Sequence, residues 1–150
     1  MKLLSSLFLS VALLLPAAAF AEKASSAKTD ASTKAPAIQI DTPPAGKGQI
    51  VFFRPPKFVG GAFGYKVREG ETELGKLRSG KYFVAAVAPG THKYNVHAET
   101  KDELNLEIEA GETYYVKATV SIGVFAGRPN LAPSTKAEFD EISEKLDPAK

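Results

Sequence analysis

The chain has 150 residues, of which 44% are apolar and 24% charged, and its 19 basic and 17 acidic side chains leave it close to neutral. That length suffices for one domain with its own core, while near-neutrality argues against a nucleic-acid binder, which needs clustered Lys and Arg. The sequence contains no cysteine, which excludes disulfides, a thiol nucleophile, thiolate metal sites and a lipid attached to an N-terminal cysteine.

The first 21 residues have the form of a secretory signal. Lys2 precedes an apolar run from Leu7 to Leu15, and Ala19-Phe20-Ala21 has the small-residue pattern that signal peptidase accepts. The run is shorter than the roughly 20 apolar residues of a membrane span. We therefore expect residues 1–21 to be removed after Ala21, which leaves a periplasmic or secreted protein without a stable membrane anchor.

Residues 22–47 are rich in Ala, Ser, Thr, Lys and Pro, and Ile38 and Ile40 are their only large aliphatic side chains. Such a composition buries too little apolar surface to offset the entropy lost on folding. The segment is predicted to be a disordered linker that precedes a folded domain over residues 48–148.

From residue 49 onward, apolar residues recur with a period of two, and turn residues interrupt them about every 8–12 positions. We therefore expect an all-β fold, an antiparallel β-sandwich of seven or eight strands. The run 82–87 is apolar on both faces, which predicts a central strand. Seven runs are predicted as strands: 49–54, 63–68, 73–77, 82–87, 93–98, 103–109 and 113–121.

One α-helix is predicted at the C-terminal end of the domain. Thr135 and Glu138 have the spacing of a capping box. Phe139, Ile142 and Leu146 then fall on one apolar stripe. The helix should therefore lie across an end or a face of the sheet, as a packing element.

Few residues offer catalytic chemistry. His92 and His97 are five positions apart, so on one strand they point to opposite faces and do not share a metal ion. We expect no metal and no cofactor. Glu103, Glu107 and Glu109 share the polar face of one strand, on which successive same-face positions, such as 107 and 109, are about 6–7 Å apart, a separation at which a glycosidase pair works. A solvated outer face is the simpler interpretation, and a hydrolase that uses carboxylates of residues 99–112 is the alternative.

Charge is divided unevenly along the domain. Residues 47–93 hold nine basic and three acidic side chains, whereas residues 99–150 hold six and eleven. Because the two halves should be neighbours in the sandwich, cross-strand Lys–Glu pairs are expected to absorb much of this asymmetry.

Two segments outside the predicted strands, residues 54–63 and 122–129, combine large apolar side chains, glycines and an Arg-Pro step. Such loops either fold under the sandwich as lids on the core or expose a binding surface. The first arrangement is the expected one, because most large apolar side chains are buried. The second would use three apolar anchors and two polar clamps: Phe58, Phe63, Phe125, Arg54 and Arg128.

Several short motifs follow one another in a specific order: Phe52-Phe53-Arg54-Pro55, Gly75-Lys76-Leu77 with Gly80-Lys81-Tyr82, Pro89-Gly90-Thr91-His92, the run 110–116 and Gly127-Arg128-Pro129. In this combination the chain resembles a bacterial domain of unknown function, family number 2846, over residues 48–146. The Pro-Gly-x-His and Ala-Gly-x-x-Tyr steps also resemble surface-layer-like PEGA modules. The resemblance implies an envelope-associated β-sandwich, often described as a lipoprotein, with no assigned activity. The lack of cysteine departs from the lipoprotein description.

These features together predict an exported, non-catalytic binding or interaction module whose partner is an envelope protein or a glycan, and not a nucleic acid. No recognisable nucleophile–base motif is present in the sequence. Besides the hydrolase, a structural envelope protein held by an uncleaved signal is the alternative.

Overall fold

The computed structural model of the protein describes residues 37–58, 60–125 and 127–150. The predicted signal, residues 22–36 of the predicted linker, Val59 and Ala126 lie outside the described residues. The elements in chain order are β1 (Gly48–Arg54), β2 (Tyr65–Glu69), β3 (Thr72–Leu77), β4 (Lys81–Val87), β5 (Gly90–His97), β6 (Lys101–Ile108), β7 (Thr113–Ser121), β8 (Arg128–Ser134), α1 (Lys136–Ile142), a 3-10 turn (Ser143–Lys145) and β9 (Asp147–Pro148).

The strands form two sheets, in the orders β8-β7-β1-β4-β9 and β3-β2-β5-β6. The predicted all-β sandwich with one C-terminal helix is confirmed. Every pair in the second sheet is antiparallel. In the first sheet, β1 runs parallel to β7 and the two-residue β9 runs parallel to β4, which the expectation of a wholly antiparallel fold did not include.

The central strand of the first sheet is β1, in which every residue is buried. Ile50 and Phe52 face the core between the sheets, whereas Val51 and Phe53 face the opposite side. The predicted central strand over residues 82–87 is β4, which lies between β1 and β9, although β9 pairs only with Lys81 and Tyr82. Both faces of β4 are apolar because Phe83 packs on the core between the sheets and Tyr82 packs under the helix.

The core between the sheets is built by alternate residues of both. Phe52 stacks on Phe83 with ring centroids 5.1 Å apart, and it meets the ring of Tyr94 edge-on at 5.4 Å. The period-two pattern predicted for the second sheet is confirmed in β2, where Tyr65 and Val67 are buried, whereas in β5 Asn95 is buried along with Tyr94 and Val96. The buried members are Ile50, Phe52, Tyr65, Val67, Leu77, Val87, Tyr94, Val96, Ile108, Val116, Ala118 and Leu131.

Helix α1 covers the other face of the first sheet. It begins at the predicted capping box, where the Thr135 hydroxyl accepts a hydrogen bond from the Glu138 amide at 3.2 Å. Phe139 is fully buried against the cluster that contains Val51 and Phe53. The helix therefore packs on a face of the sheet, as predicted. None of the helices within the described residues has the length and apolar character needed to cross a bilayer.

The edge strand β8 was not predicted, because Pro129 and Pro133 interrupt its pattern. Proline is tolerated at the edge of a sheet, where one side of the strand needs no backbone partner, and β8 pairs with β7 alone. Asp102 of β6 reaches this edge and accepts a hydrogen bond from the Leu131 amide at 2.8 Å. This contact joins the edges of the two sheets.

Residues 37–47, which belong to the predicted linker, lie against the domain. Ile38 and Ile40 pack on the cluster under α1, and the Gln49 side chain donates a hydrogen bond to the carbonyl of Asp41 at 2.5 Å. This contact extends the folded region a short way upstream of β1.

Candidate functional site

Two apolar loops meet at one end of the sandwich, which we call the loop end. Loop A (residues 55–64) follows β1, and loop B (residues 122–127) follows β7. Because β1 and β7 are parallel neighbours, the loops that follow them both begin at the same end of the strands. Gly60 and Gly127 both pack on Val120, since a β-carbon at these positions would lie 3.4 Å and 3.0 Å from its Cγ1.

Arg54 braces loop A from beneath. It is only 2% exposed, and its guanidinium donates hydrogen bonds to the carbonyls of Phe63 at 2.7 Å and Gly60 at 2.6 Å. The guanidinium also lies over the ring of Tyr65, 5.2 Å from its centroid. Burial lowers the pKa of Arg54, although an arginine remains charged at neutral pH. The predicted polar clamp is therefore not free to reach a partner and instead holds the loop in shape.

Glu99, in the turn between β5 and β6, braces loop B. One carboxylate oxygen accepts a hydrogen bond from the Phe125 amide at 3.2 Å, and the other lies 4.0 Å from Arg128 Nη2. Gly123 leaves the room for this contact, because a β-carbon there would collide with the Glu99 carboxylate and the backbone of Gly127. Sequence reasoning missed Glu99, since a lone glutamate in a turn carries no recognisable signal. Arg128, the second predicted clamp, remains half exposed.

The large apolar side chains of both loops face solvent. Phe58 is 102% exposed and Phe125 is 86% exposed, and Ile122, Val124 and Phe63 are exposed as well. The expectation that these loops fold under the sandwich is wrong. The space beneath them is taken by Arg54, Glu99 and the loop backbone, so the apolar side chains point outward. Phe63, Ile122 and Phe125 line a shallow groove of about 100 Å³.

Basic side chains adjoin the loop end. We call Lys57, Lys66, Lys76 and Arg78 the basic rim. Lys66 and Lys76 are directly opposite each other on β2 and β3. Lys76 and Arg78 lie against Gly64, where a β-carbon would be 2.9 Å from Lys76 Cε and 3.0 Å from Arg78 Cγ. Lys57 of loop A lies next to Arg78, because the Lys57 amide donates a hydrogen bond to the Ser79 hydroxyl and the Lys57 carbonyl accepts one from it.

The carboxylates predicted for the alternative hydrolase form an exposed row on β6. Glu103 pairs with Lys101 at 2.5 Å and with Lys93 of the neighbouring strand at 3.6 Å. The hydrogen bond from Lys101, more than any other contact, lowers the pKa of Glu103. Glu107 accepts a hydrogen bond from the Thr91 hydroxyl. Glu103 and Glu107 lie on the exposed face of β6, and Glu109 follows the strand in an exposed turn.

Pairing between the two halves of the domain, expected from their opposite charge, is present. Lys81 of β4 contacts Asp147 of β9 at 3.0 Å, and Lys93 contacts Glu103. Lys117 of β7 contacts Glu138 of α1 at 2.8 Å, a pair within the second half. The first two pairs neutralise part of the asymmetry but leave the rim residues Lys57, Lys76 and Arg78 without an ion pair among the described residues.

His92 is held as a double donor. Its Nδ1 lies 2.5 Å from Glu69 Oε1, and its Nε2 lies 2.8 Å from the carbonyl oxygen of Ala88. Both partners accept hydrogen bonds, so the arrangement favours the protonated ring. The pKa of His92 is accordingly raised, mainly by the hydrogen bond to Glu69, with smaller contributions from the Ala88 carbonyl and the charge of Glu107. In the described part of the chain, no cluster of His, Asp and Glu is suited to a metal ion.

Raising the pH is expected to destabilise the domain through His92. The folded-state pKa lies above the unfolded value of about 6.5, so this stabilisation is complete below about pH 6.5 and is lost as pH rises through the raised pKa. Urea unfolding of wild type and Glu69→Gln at several pH values tests this, and the variant should show a flatter profile. Identical profiles for the two proteins would contradict the assignment.

The fold and this end together define an all-β sandwich that presents braced apolar loops to solvent. The chain belongs to the family described as protein of unknown function (DUF2846), which it matches over residues 44–128. The resemblance inferred from the short motifs is therefore confirmed. The match is shorter than the predicted 48–146; it includes both loops and ends where β8 begins.

The chain is also similar to an uncharacterised protein of Haemophilus influenzae (strain ATCC 51907 / DSM 11121 / KW20 / Rd). The two are 27% identical over 140 residues, which cover 93% of this chain and 80% of the relative.

Proposed function

We propose that this protein is an exported, non-catalytic binding module of the bacterial envelope, and that it holds its partner through the loop end. One observation carries the proposal. Among the described residues, five of the six exposed large apolar side chains lie on loops A and B, and Val84 is the sixth. Concentrated apolar exposure of this kind is typical of interaction sites.

The way the loops are supported favours binding over a packing defect. Arg54 holds two carbonyls of loop A, and Glu99 holds an amide of loop B. Both braces lie below the apolar side chains, so the surface is shaped before a partner arrives. Preorganisation of this kind reduces the entropy lost on association. Phe58, Phe63 and Phe125 are the proposed anchors, and Arg128 is the polar group at their margin.

The export signal and the family resemblance support the envelope as the location, and an envelope component, protein or glycan, as the partner. The paired histidine and the exposed carboxylate row support a non-catalytic role. The domain itself offers no long apolar helix among its described residues.

Photo-crosslinking in living cells tests this function. A photoreactive amino acid at position 58 or 125 is expected to give discrete adducts with an envelope component. The same group at Val84, or at Glu71 on the opposite end, should give none. Mass spectrometry of the recovered chain should show Glu22 as its first residue. Equal adducts from all four positions, or none from positions 58 and 125, would argue against the loop end as the binding surface.

A further inference from the structure

The two ends of the sandwich differ in charge. The turns opposite the loop end contain four carboxylates, Glu69, Glu71, Glu109 and Glu112, and Lys47 lies beside the second of these turns. At the loop end, the carboxylates of Glu99, Glu103 and Asp147 already contact basic groups or an amide. The basic rim therefore dominates the loop end, and the partner of this end should be anionic.

The apolar loops restrict the partner further. A second copy of the chain offers a complementary acidic end, but no large apolar side chain is exposed at that end in the described part of the chain. A glycan needs directional hydrogen bonds, and among the described residues that line the groove between the loops, Ser121 is the only one with a polar side chain. Aliphatic Ile122 and Val124 beside aromatic Phe58 and Phe125 suit an apolar layer beneath an anionic surface.

We infer that the loop end docks on a bilayer surface that is rich in anionic lipid. This inference rests on the proposed function, because it uses the loop end as the binding surface, but it assigns lipid as the partner in place of a protein or glycan. The exposed side chains of loops A and B enter the boundary between head groups and acyl chains. Lys57, Lys76 and Arg78 meet the lipid phosphates. Docking is peripheral and reversible. This agrees with the sequence-based expectation that the protein has no stable membrane anchor once the signal is removed.

A groove beside the loop end fits a lipid phosphate group. It has a volume of about 180 Å³ and is lined by Gly64, Lys66, Arg68, Lys76 and His97. Arg68 is a third basic residue of this lining. Lys66 pairs with Glu73 at 2.6 Å, whereas Lys76, directly opposite it, has no ion pair among the described residues. An anion in the groove would be attracted by Lys76 and Arg68, which line it.

Vesicle sedimentation tests the inference with the chain that begins at Glu22, because the apolar run of the predicted signal would itself bind a bilayer. Vesicles of phosphatidylglycerol and phosphatidylethanolamine are compared with vesicles of phosphatidylcholine. We expect binding to the anionic vesicles only, weakened by added salt because the charges are exposed. Phe58→Ser and Phe125→Ser should each weaken binding about tenfold. Lys76→Gln and Arg78→Gln should each weaken it about fivefold.

Matched controls separate the surface from general effects. Val84→Ser removes an exposed apolar side chain on β4, and Lys47→Gln removes a positive charge at the opposite end. Both should bind as wild type does, and unfolding curves of all variants should confirm intact folds. Equal binding to neutral vesicles, no binding, or equal binding by the loop variants and the controls would overturn the lipid surface. Discrete protein adducts from position 58 without vesicle binding would overturn this inference alone, whereas the loss of both results would overturn the proposed function as well.

Discussion

Replacing Phe139 by alanine is expected to lower the free energy of unfolding by about 3–5 kcal/mol, the usual cost of removing a buried aromatic ring. Phe139 has no exposed surface. Its ring lies 5.4 Å from that of Phe53, 5.8 Å from that of Tyr82 and 5.5 Å from that of Tyr115. The cavity left by alanine would be lined by three strands, which relax little because they are hydrogen-bonded within the sheet.

Urea denaturation followed by circular dichroism measures this effect, and Phe58→Ala is the matched control. The same chemical change at the fully exposed Phe58 should alter the free energy of unfolding by no more than about 0.5 kcal/mol. If Phe139→Ala lowered the free energy of unfolding by less than about 1 kcal/mol, the packing of α1 on the sheet would contribute little to stability. Because α1 lies beyond residues 44–128 that match the family, the comparison also measures how much a helix outside the matched region stabilises the domain.

Replacing Arg54 by methionine is expected to lower the free energy of unfolding by about 3 kcal/mol and to loosen loop A. Hydrogen bonds from charged donors contribute about 1.5–3 kcal/mol each. Arg54 makes two of them, to Phe63 and Gly60. Methionine fills a similar volume but leaves both carbonyls without their donor. Urea denaturation measures the stability, and limited proteolysis reports the opening of residues 57–63.

Two further variants test whether Arg54 supports loop A or binds the partner directly. Arg54→Lys should recover only part of the stability, because an ammonium group does not reproduce the planar fork of the guanidinium. Arg128→Met should change stability by no more than about 0.5 kcal/mol, since this side chain is half exposed. If Arg54→Met kept wild-type stability and proteolytic resistance but lost its crosslinked partner, Arg54 would be a direct binding residue instead.

The local elements of this fold were predictable from sequence, because each depends on residues close together in the chain. The period-two pattern identified the seven strands β1 to β7, and the Thr135–Glu138 box identified the start of α1. The edge strand β8 was missed because its two prolines disfavour strand structure when the segment is considered alone. It forms because β7 and Asp102, both distant in sequence, supply its partners.

The candidate site was predictable in composition but not in geometry. The sequence indicated that residues 54–63 and 122–129 form a related pair, and it selected Phe58, Phe63 and Phe125. It assigned the wrong role to Arg54 and missed Glu99. The burial of Arg54 and the hydrogen bond of Glu99 depend on how the chain packs, which a local sequence pattern does not reveal. The exposure of the apolar side chains likewise depends on the braces that occupy the space beneath them.

The sequence by itself determined a sandwich of short strands without disulfides, a C-terminal helix and an expected export signal. Only the tertiary structure decided that the two apolar loops share one surface. The physical reason is the parallel pairing of β1 with β7, which joins segments more than 60 residues apart. Parallel neighbours end at the same edge of a sheet, so the loops that follow them emerge side by side.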